Sequence, residues 1–176
     1  MTPSRSPISR GLALLAAATA GLLLAGCVAL RGPQLALGQT EAEVAAQLGP
    51  ATGRYAMPDG VTRVEWATGP LGRHTWMVDF GADGRSRRAE QVLTSANLAD
   101  FAARAPGMDI PQLLRELGRP AERRPGGWAG GQTWSWRYPT NDCLWWQVSV
   151  GADGRVIGAG EGIDPACDAR EPFSRD

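Results

Sequence analysis

One pentapeptide, Gly-Ala-Asp-Gly-Arg, occurs twice in this chain of 176 residues, at 81–85 and at 151–155. A fixed repeat indicates that each copy is one supersecondary unit and that the two copies pack alike. Further matches at an offset of 69 or 70 residues are Trp66 with Trp136, Trp76 with Trp146, Gly38 with Gly107, and Gly49 with Gly118. The pattern therefore predicts a tandem duplication, with each copy about 70 residues long.

Each copy begins with a short helix that carries its own start and stop signals. In the first copy Thr40 precedes Glu43 by three residues, which is a capping box, and Gly49 suits the left-handed position that ends a helix. The second copy repeats this chemistry with Asp109 at the cap and Gly118 at the end. Helices this short are not stable alone, so we expect them to pack on strands.

The segments after each helix alternate between apolar and polar residues, which is typical of half-buried strands. These segments are 63–66 and 75–80 in the first copy and 133–138 and 145–150 in the second. The repeated Ala-Asp-Gly predicts a hairpin turn in which Gly84 or Gly154 takes positive φ, most simply a type I turn with a glycine bulge. A third strand then returns over 87–93 or 156–160.

Apolar residues at helical spacing between the copies predict a connecting helix over 97–104. We therefore expect an α+β fold of two tandem repeats, each a short helix or helix pair packed on a three-stranded antiparallel meander. The expected divisions are a signal segment at 1–26, a tether at 27–36, repeats at 37–94 and 95–168, and a tail at 169–176.

The N-terminal segment has the composition of a secretory signal. Residues 1–26 contain no acid, carry Arg5 and Arg10, and are apolar over 11–24. That apolar run is shorter than a membrane-spanning helix requires. We predict export of the chain.

The signal ends in Leu-Ala-Gly-Cys at 24–27, which resembles the lipobox of bacterial lipoproteins. The resemblance implies that Cys27 carries a diacylglyceryl group and an amide-linked acyl chain, and more than one chain gives stable anchoring. The alternative is an ordinary signal peptide with a chance cysteine. Val28, in place of an Asp, favours the outer membrane, with the folded part facing the periplasm.

Two cysteines remain once Cys27 is assigned to lipidation. Cys143 and Cys167 form an even pair in an oxidising compartment, so we predict a disulfide between them. Two buried thiols are the alternative.

Composition and motifs argue against catalysis. Loss of the signal leaves 16 basic against 18 acidic side chains, which does not indicate a nucleic-acid partner. His74, the single histidine, has no other ligand at metal-binding spacing, and Glu65 is isolated on a polar strand face. The sequence contains no nucleophile elbow and no phosphate-binding glycine loop. We therefore predict no enzyme activity, no metal and no cofactor.

The seven tryptophans divide into core residues and candidate partner-binding residues. Alternation assigns Trp66, Trp76, Trp134, Trp136 and Trp146 to the helix-covered face. Large aromatics on a polar face are candidate hot spots. The residues predicted to bind a partner are Trp145, Gln147, Arg137, Met77 and Trp128. The C-terminal segment from 167 to 176, or the disulfide, is an alternative cover for Trp145.

Two stretches resemble the SmpA/OmlA domain, the BamE-type domain of small outer-membrane lipoproteins. In the second copy the resemblance lies in Phe101, Pro106, Gly107, Met108, Asp109, Leu113, Leu117, Gly118 and Pro120; in the first it lies in Gly38, Thr40, Glu43, Val44, Leu48 and Gly49. Asp109 departs from the Thr usual in that family. Tandem copies also resemble the beta-lactamase-inhibitor-protein-like architecture, in which two units present a concave sheet to a partner.

These resemblances imply a non-catalytic outer-membrane lipoprotein that binds another envelope component through an exposed sheet face. Outer-membrane protein assembly and envelope integrity are the implied roles. The alternative is an inhibitor of a hydrolase such as a beta-lactamase or a protease, with the loops at 55–60 and 125–131 as its candidate inhibitory segments. A small-molecule-binding or enzymatic lipoprotein is a third hypothesis.

Overall fold

The duplication appears in the structure as two antiparallel sheets, each with four strands in sequential order. The computed structural model describes residues 33–126 and 130–168, without the side chains at 167 and 168. All the elements below lie within one compact unit that begins at residue 35.

The first repeat contains one helix, α1, and sheet 1. Their bounds are α1 Glu41–Leu48, β1 Gly53–Ala56, β2 Thr62–Thr68, β3 His74–Phe80 and β4 Ser86–Gln91, with single 3₁₀ turns at Pro58–Gly60 and Pro70–Gly72. The second repeat contains α2, α3, sheet 2 and the short α4. Their bounds are α2 Ser95–Arg104, α3 Ile110–Leu117, β5 Glu122–Pro125, β6 Gln132–Trp136, β7 Leu144–Val150, β8 Val156–Ile163 and α4 Pro165–Asp168.

The predicted α+β architecture of two repeats is confirmed, but the predicted count of three strands per repeat is wrong. The additional strand in each repeat is the first one, β1 or β5, which pairs antiparallel with β2 or β6. Each additional strand has only four residues, and Gly53 and Pro125 are poor strand formers. So short a segment shows no readable alternation, and pairing with its neighbour makes it a strand.

The repeated pentapeptide connects the hairpin turn to the start of the preceding helix. Its second glycine has φ of 70° in the first copy and 76° in the second, as predicted. Its arginine then reaches across: Arg85 donates to the carbonyl oxygen of Gly38 at 3.1 Å, and Arg155 donates to that of Gly107 at 2.8 Å. The identity between the copies therefore preserves a tertiary contact as well as a turn.

A second repeated contact attaches the end of each helix to its sheet. The indole N–H of Trp66 donates to the carbonyl oxygen of Gly49 at 2.9 Å, and that of Trp136 donates to Gly118 at 3.2 Å. These carbonyls belong to the residues that end α1 and α3, where the helix leaves its last acceptors unpaired. The predicted capping boxes at Thr40 and Asp109 are both present.

The elements stack in four layers: α1, sheet 1, the pair α2 and α3, and sheet 2. Val44 of α1 packs with Val64, Val78 and Phe80 on one face of sheet 1. The second cluster contains Met77 from the opposite face of sheet 1, Phe101 from α2, Leu113 and Leu117 from α3, and Trp134, Trp136, Trp146 and Val148 from sheet 2. Of the predicted core tryptophans, Trp66, Trp134, Trp136 and Trp146 are buried, and Trp76 is half-buried against the first cluster. None of the helices in the described ranges is long and apolar enough to cross a membrane.

Candidate interaction surface

The polar face of sheet 1 is an internal interface. Glu65 is 0% exposed and Arg63 is 7% exposed, because the second repeat covers this face. The expectation that Glu65 is isolated is therefore wrong. Sequence reasoning missed it because its partners lie in another strand and in the other repeat.

The carboxylate of Glu65 is surrounded by donors. It accepts from the hydroxyl of Thr52 at 3.2 Å, from the hydroxyl of Tyr55, and from the backbone N–H of Arg119 at 3.3 Å. Burial and, secondarily, this carboxylate raise the pKa of Tyr55 far above its ordinary value of 10.0. A Cβ at Gly118 would lie 2.8 Å from the carboxylate carbon, so only glycine fits there. Glu65 therefore joins the two repeats.

Arg63 holds the end of α3 on the same face. Its guanidinium forms a two-pronged pair with Asp79 at 2.6 and 2.8 Å and donates to the carbonyl oxygen of Arg115 at 3.0 Å. That carbonyl lies in the last turn of α3, where the helix dipole favours a cation. The hydrogen bonds to Asp79 are the main cause of the raised pKa of Arg63. Since its hydrogen-bond donors are occupied within the protein, Arg63 has a structural role.

A cleft of about 440 Å³ opens beside Glu65 between the repeats. Its lining includes Leu71 and Trp136 as apolar groups and Arg119 and Arg137 as cations. Leu71 is exposed at φ of 60°, a left-handed conformation that a leucine rarely adopts. Arg137 is already engaged, as shown below, so it is not available to bind an anion in this cleft.

Two of the predicted partner-binding residues are buried. Trp145 is 1% exposed and Met77 is 2% exposed. Met77 lies beneath the second repeat, and the guanidinium groups of Arg124 and Arg137 lie 5.4 and 5.2 Å from the centre of the Trp145 ring. The expectation that these two side chains stand on an open face is therefore wrong. Long arginine side chains are suited to covering an aromatic ring, because their apolar stems pack against it while their charged ends remain in contact with water.

The other predicted residues are also mostly engaged. Arg137 pairs with Asp164 at 2.6 and 2.8 Å, and hydrogen bonding to this arginine is the main reason that the pKa of Asp164 lies below its ordinary value. Gln147 is half-buried and donates to the hydroxyl of Ser135 at 3.5 Å. Trp128 lies outside the described residues. The predicted set therefore forms no continuous open patch.

The predicted disulfide lies at the end of sheet 2. The backbone N–H of Asp164 donates to the carbonyl oxygen of Cys143 at 3.0 Å, and α4, which contains Cys167, begins at the next residue. The side chain of Cys167 is outside the described residues, so its pairing with Cys143 stays a prediction. Cys27 also lies outside them.

An open surface exists elsewhere on sheet 2, along β8. Ser149 of β7 is exposed, and a Cβ built at Gly158 or Gly160 would meet nothing within 4 Å. We call Ser149, Gly158 and Gly160 the glycine face. The 70-residue offset aligns them with Asp79, Arg88 and Glu90 of sheet 1. Those last two residues line a cavity whose other wall is α2, so the equivalent face of sheet 1 is largely covered, although the side chain of Arg88 is 58% exposed.

The edge of β8 adjoins the glycine face and is unpaired over most of its length. Among the described residues, only Val156 of this strand makes backbone hydrogen bonds outside its sheet, to Gly107 and Met108. Ile157 and Ile163 are 64% and 69% exposed. Sequence reasoning treated this strand only as the return of a hairpin, although its pattern of alternating glycines was a usable signal.

The other three sheet edges have features that discourage pairing. β1 and β5 are four residues long, and β5 ends in Pro125. β4 carries Arg87, Arg88 and Glu90. Short strands, proline and charge are the usual means by which edges avoid other strands. The edge of β8 is long, glycine-rich and carries a single charged residue, Glu161.

No group of three or more His, Cys, Asp and Glu side chains converges in the ranges 33–126 and 130–168. His74 is exposed at the start of β3. Of the two loops considered for inhibition, the first contains a 3₁₀ turn at Pro58–Gly60, and the second is described only in part.

Comparison with known proteins does not assign the chain to a family. No family model matches the chain, and neither the curated proteins nor the solved structures contain a match.

Proposed function

We propose that this chain is a non-catalytic lipoprotein of the outer membrane, anchored through Cys27 and facing the periplasm, that binds another envelope protein. The surface proposed for binding is the glycine face of sheet 2 together with the adjoining edge of β8. It replaces the face centred on Trp145, because that side chain is buried.

One observation carries the choice of surface. The same face of the repeat lies against α2 in sheet 1, with only Arg88 largely exposed, and is open at Ser149, Gly158 and Gly160 in sheet 2. In a stack of repeats, each unit buries a face against the next, and the last unit has no successor. A partner that covers the glycine face takes the place of that successor.

The chemistry of the glycine face supports a polypeptide ligand. Glycines allow a close approach to the strand backbone because no Cβ stands in the way. The face carries no charged side chain of its own, in contrast to the aligned Asp79, Arg88 and Glu90 of sheet 1. The glycine face offers no set of ligands for a small anion or a metal ion, whereas a flat apolar surface of a polypeptide can pack against it.

The binding surface is tested by adding a side chain where space is free. Gly158→Arg and Gly160→Arg place long side chains on the glycine face, where a Cβ at either position has no neighbour within 4 Å. Ala82→Arg, in an exposed turn of the first repeat, is the matched control. A photo-crosslinking residue at Ser149 reports contacts in native membranes.

We expect one recurrent envelope protein to crosslink to position 149 in the parent and in the Ala82→Arg chain, and crosslinking to fall at least tenfold with either glycine variant. Equal yields in all four chains would refute the glycine face as the binding surface.

The anchor is tested separately. Growth with a clickable fatty acid should label the parent chain, while Cys27→Ala should be unlabelled and should leave the membrane fraction. A Cys27→Ala chain that stays in the outer membrane and labels as well as the parent would refute the lipid anchor.

A further inference from the structure

The cleft beside Glu65 combines a mostly apolar lining with one cation that forms no ion pair. Its volume of about 440 Å³ lies in the range of roughly 300–1,000 Å³ that is usual for small-molecule sites. Such sites have apolar walls and a few polar groups that orient the ligand. The apolar residues of this lining are Ala67, Leu71, Pro120, Ala121 and Trp136.

The cation is the guanidinium of Arg119. This side chain is exposed and belongs to none of the ion pairs found within residues 33–126 and 130–168. Its backbone N–H binds Glu65, which fixes the residue in place, and its guanidinium lies close to the hydroxyl of Tyr55. A guanidinium has five N–H donors, so one hydroxyl leaves most of them available. Two parallel N–H groups match the two oxygens of a carboxylate.

The charges around the cleft leave a positive excess. Arg137 is paired with Asp164, and the hydrogen bond from Arg137 is the main cause of the lowered pKa of Asp164, which the charge of Arg73 lowers further. With Arg119 and Glu65, this makes three guanidinium groups against two carboxylates. Glu65 is 0% exposed and its oxygens accept from internal donors, so a ligand does not contact it. One negative charge on a ligand balances the excess.

Leu71 lines the cleft from a backbone position that disfavours leucine. Its φ is 60°, and its side chain is 63% exposed, so burial does not offset the strain. The 70-residue offset aligns it with Asn141, and asparagine tolerates this left-handed conformation better. Strain of this kind clusters at ligand sites. An apolar group that enters the cleft would cover this leucine.

The duplication does not account for the residues that give the cleft its character. Arg119 aligns with Pro50 at the 69-residue offset, and Glu65 aligns with Ser135 at the 70-residue offset. Like Leu71, each therefore differs in type from its counterpart. The cleft is a feature of the junction between the repeats and has no copy elsewhere in the duplication.

We infer that this cleft binds a small organic carboxylate with an apolar body. The carboxylate pairs with the guanidinium of Arg119, and the apolar body lies against Leu71 and Pro120. A single carboxylate matches the single excess charge, whereas an uncharged molecule would leave Arg119 without its partner. None of the residues of the glycine face lines the cleft, so the inference does not rest on the proposed function.

The site is tested with phenylbutyrate as the probe, added to the full-length lipidated chain in detergent. Phenylbutanol and phenylbutylamine have the same apolar body with an uncharged or a cationic end. The readout is the nuclear magnetic resonance signal of the Leu71 methyl groups in an isotope-labelled chain. We expect phenylbutyrate to shift this signal saturably, with an affinity at least fivefold higher than that of phenylbutanol and higher still than that of phenylbutylamine.

Two variants separate binding from folding. Arg119→Gln keeps the backbone N–H that binds Glu65, and it should lower the affinity for phenylbutyrate at least fivefold and remove the preference over phenylbutanol. Arg87→Gln, which changes an exposed arginine of β4, is the matched control and should bind as the parent does. Leu71→Asn should weaken binding at least threefold, while thermal unfolding occurs at the same or a higher temperature because the backbone strain is relieved. A purely structural role for Leu71 would not combine these two results. Binding to the Leu71→Asn chain is measured by calorimetry against the parent.

Three results would overturn the inference. They are the absence of a saturable shift of the Leu71 signal at millimolar phenylbutyrate, equal affinities for the acid and the alcohol, and an Arg119→Gln chain that binds phenylbutyrate as well as the parent does. Any of these would leave the proposed function standing, because crosslinking from Ser149 reports on a different surface. Failure of that crosslinking would in turn leave this site standing.

Discussion

The carboxylate of Glu65 accepts a hydrogen bond from the backbone N–H of Arg119, 54 residues further along the chain and in the other repeat. The 70-residue offset aligns Glu65 with Ser135, so the duplication itself does not require this contact. The first repeat has a charged group at this position that binds the segment just after α3 of the second repeat. The two repeats are therefore specialised as an inner and an outer unit.

Replacement of this carboxylate should destabilise the whole protein. Glu65→Gln retains the size of the side chain but loses the charge that strengthens its hydrogen bonds, and a hydrogen bond to a buried charged group contributes about 1.5 to 3 kcal/mol. We expect a loss of about 2 kcal/mol in the free energy of unfolding, measured by urea denaturation. Glu116→Gln, which breaks a half-exposed pair with Arg104, should cost less than about 1 kcal/mol. Equal costs for the two variants would contradict the role assigned to Glu65.

The glycines of the two hairpin turns and those of β8 should respond differently to alanine. Gly84→Ala and Gly154→Ala force a side chain into positive φ and should each cost about 1 kcal/mol. Gly158→Ala and Gly160→Ala have open space around the new Cβ and no positive φ, so they should be neutral or slightly stabilising. Thermal unfolding of all four variants provides the comparison. A cost of 1 kcal/mol at the β8 positions would show that something covers the glycine face.

Both tyrosines of the chain should resist ionisation in the folded state. Burial, followed by the hydrogen bond to Glu161, raises the pKa of Tyr138 to about 12. Burial and Glu65 raise the pKa of Tyr55 further. A folded pKa above the unfolded value of about 10 means that this contribution to stability is complete below pH 10 and is lost as the pH rises through the folded value.

Absorbance of tyrosinate near 295 nm measures this directly. The folded chain should show little tyrosinate at pH 11, and the chain unfolded in guanidinium should titrate near pH 10. Glu161→Gln removes the charge that disfavours the phenolate and should lower the pKa of Tyr138 alone. A folded chain in which both tyrosines titrate near pH 10 would exclude the buried hydrogen bonds described for them.

A disulfide between Cys143 and Cys167 should stabilise the end of sheet 2. The loop it closes has about two dozen residues, which corresponds to about 3 kcal/mol in the chain-entropy treatment. Intact mass should rise by about 2 Da on reduction, and a Cys143→Ser, Cys167→Ser chain should unfold at lower urea. An unchanged mass and equal stability of this variant would show that the cysteines are thiols.

Local signals account for most of the elements that were predicted correctly. The capping residues Thr40 and Asp109 lie within three residues of their partners, and the turn glycines act through their own φ. Such interactions are readable from short stretches of sequence. β1 and β5 were missed because four residues carry too little pattern, and their strand state depends on pairing with β2 and β6.

The candidate site was harder to predict because exposure is not a local property. Trp145 alternates onto the polar face as expected, yet the guanidinium groups of Arg124 and Arg137 lie over it. Met77 likewise lies on the expected face and is buried under the second repeat. Alternation along the strand decides on which side a residue lies. Tertiary packing decides which element, if any, covers that side.

The sequence by itself determined the duplication, the helix caps, the hairpin turns and the aromatic core, because each depends on residues close together or on a regular period. Only the tertiary structure decided which copy is inner and which is outer. That choice buries Glu65 and Arg63 against the end of α3 and leaves the glycine face and the edge of β8 open. The physical reason is that two stacked repeats share one interface, so equivalent faces meet different surroundings.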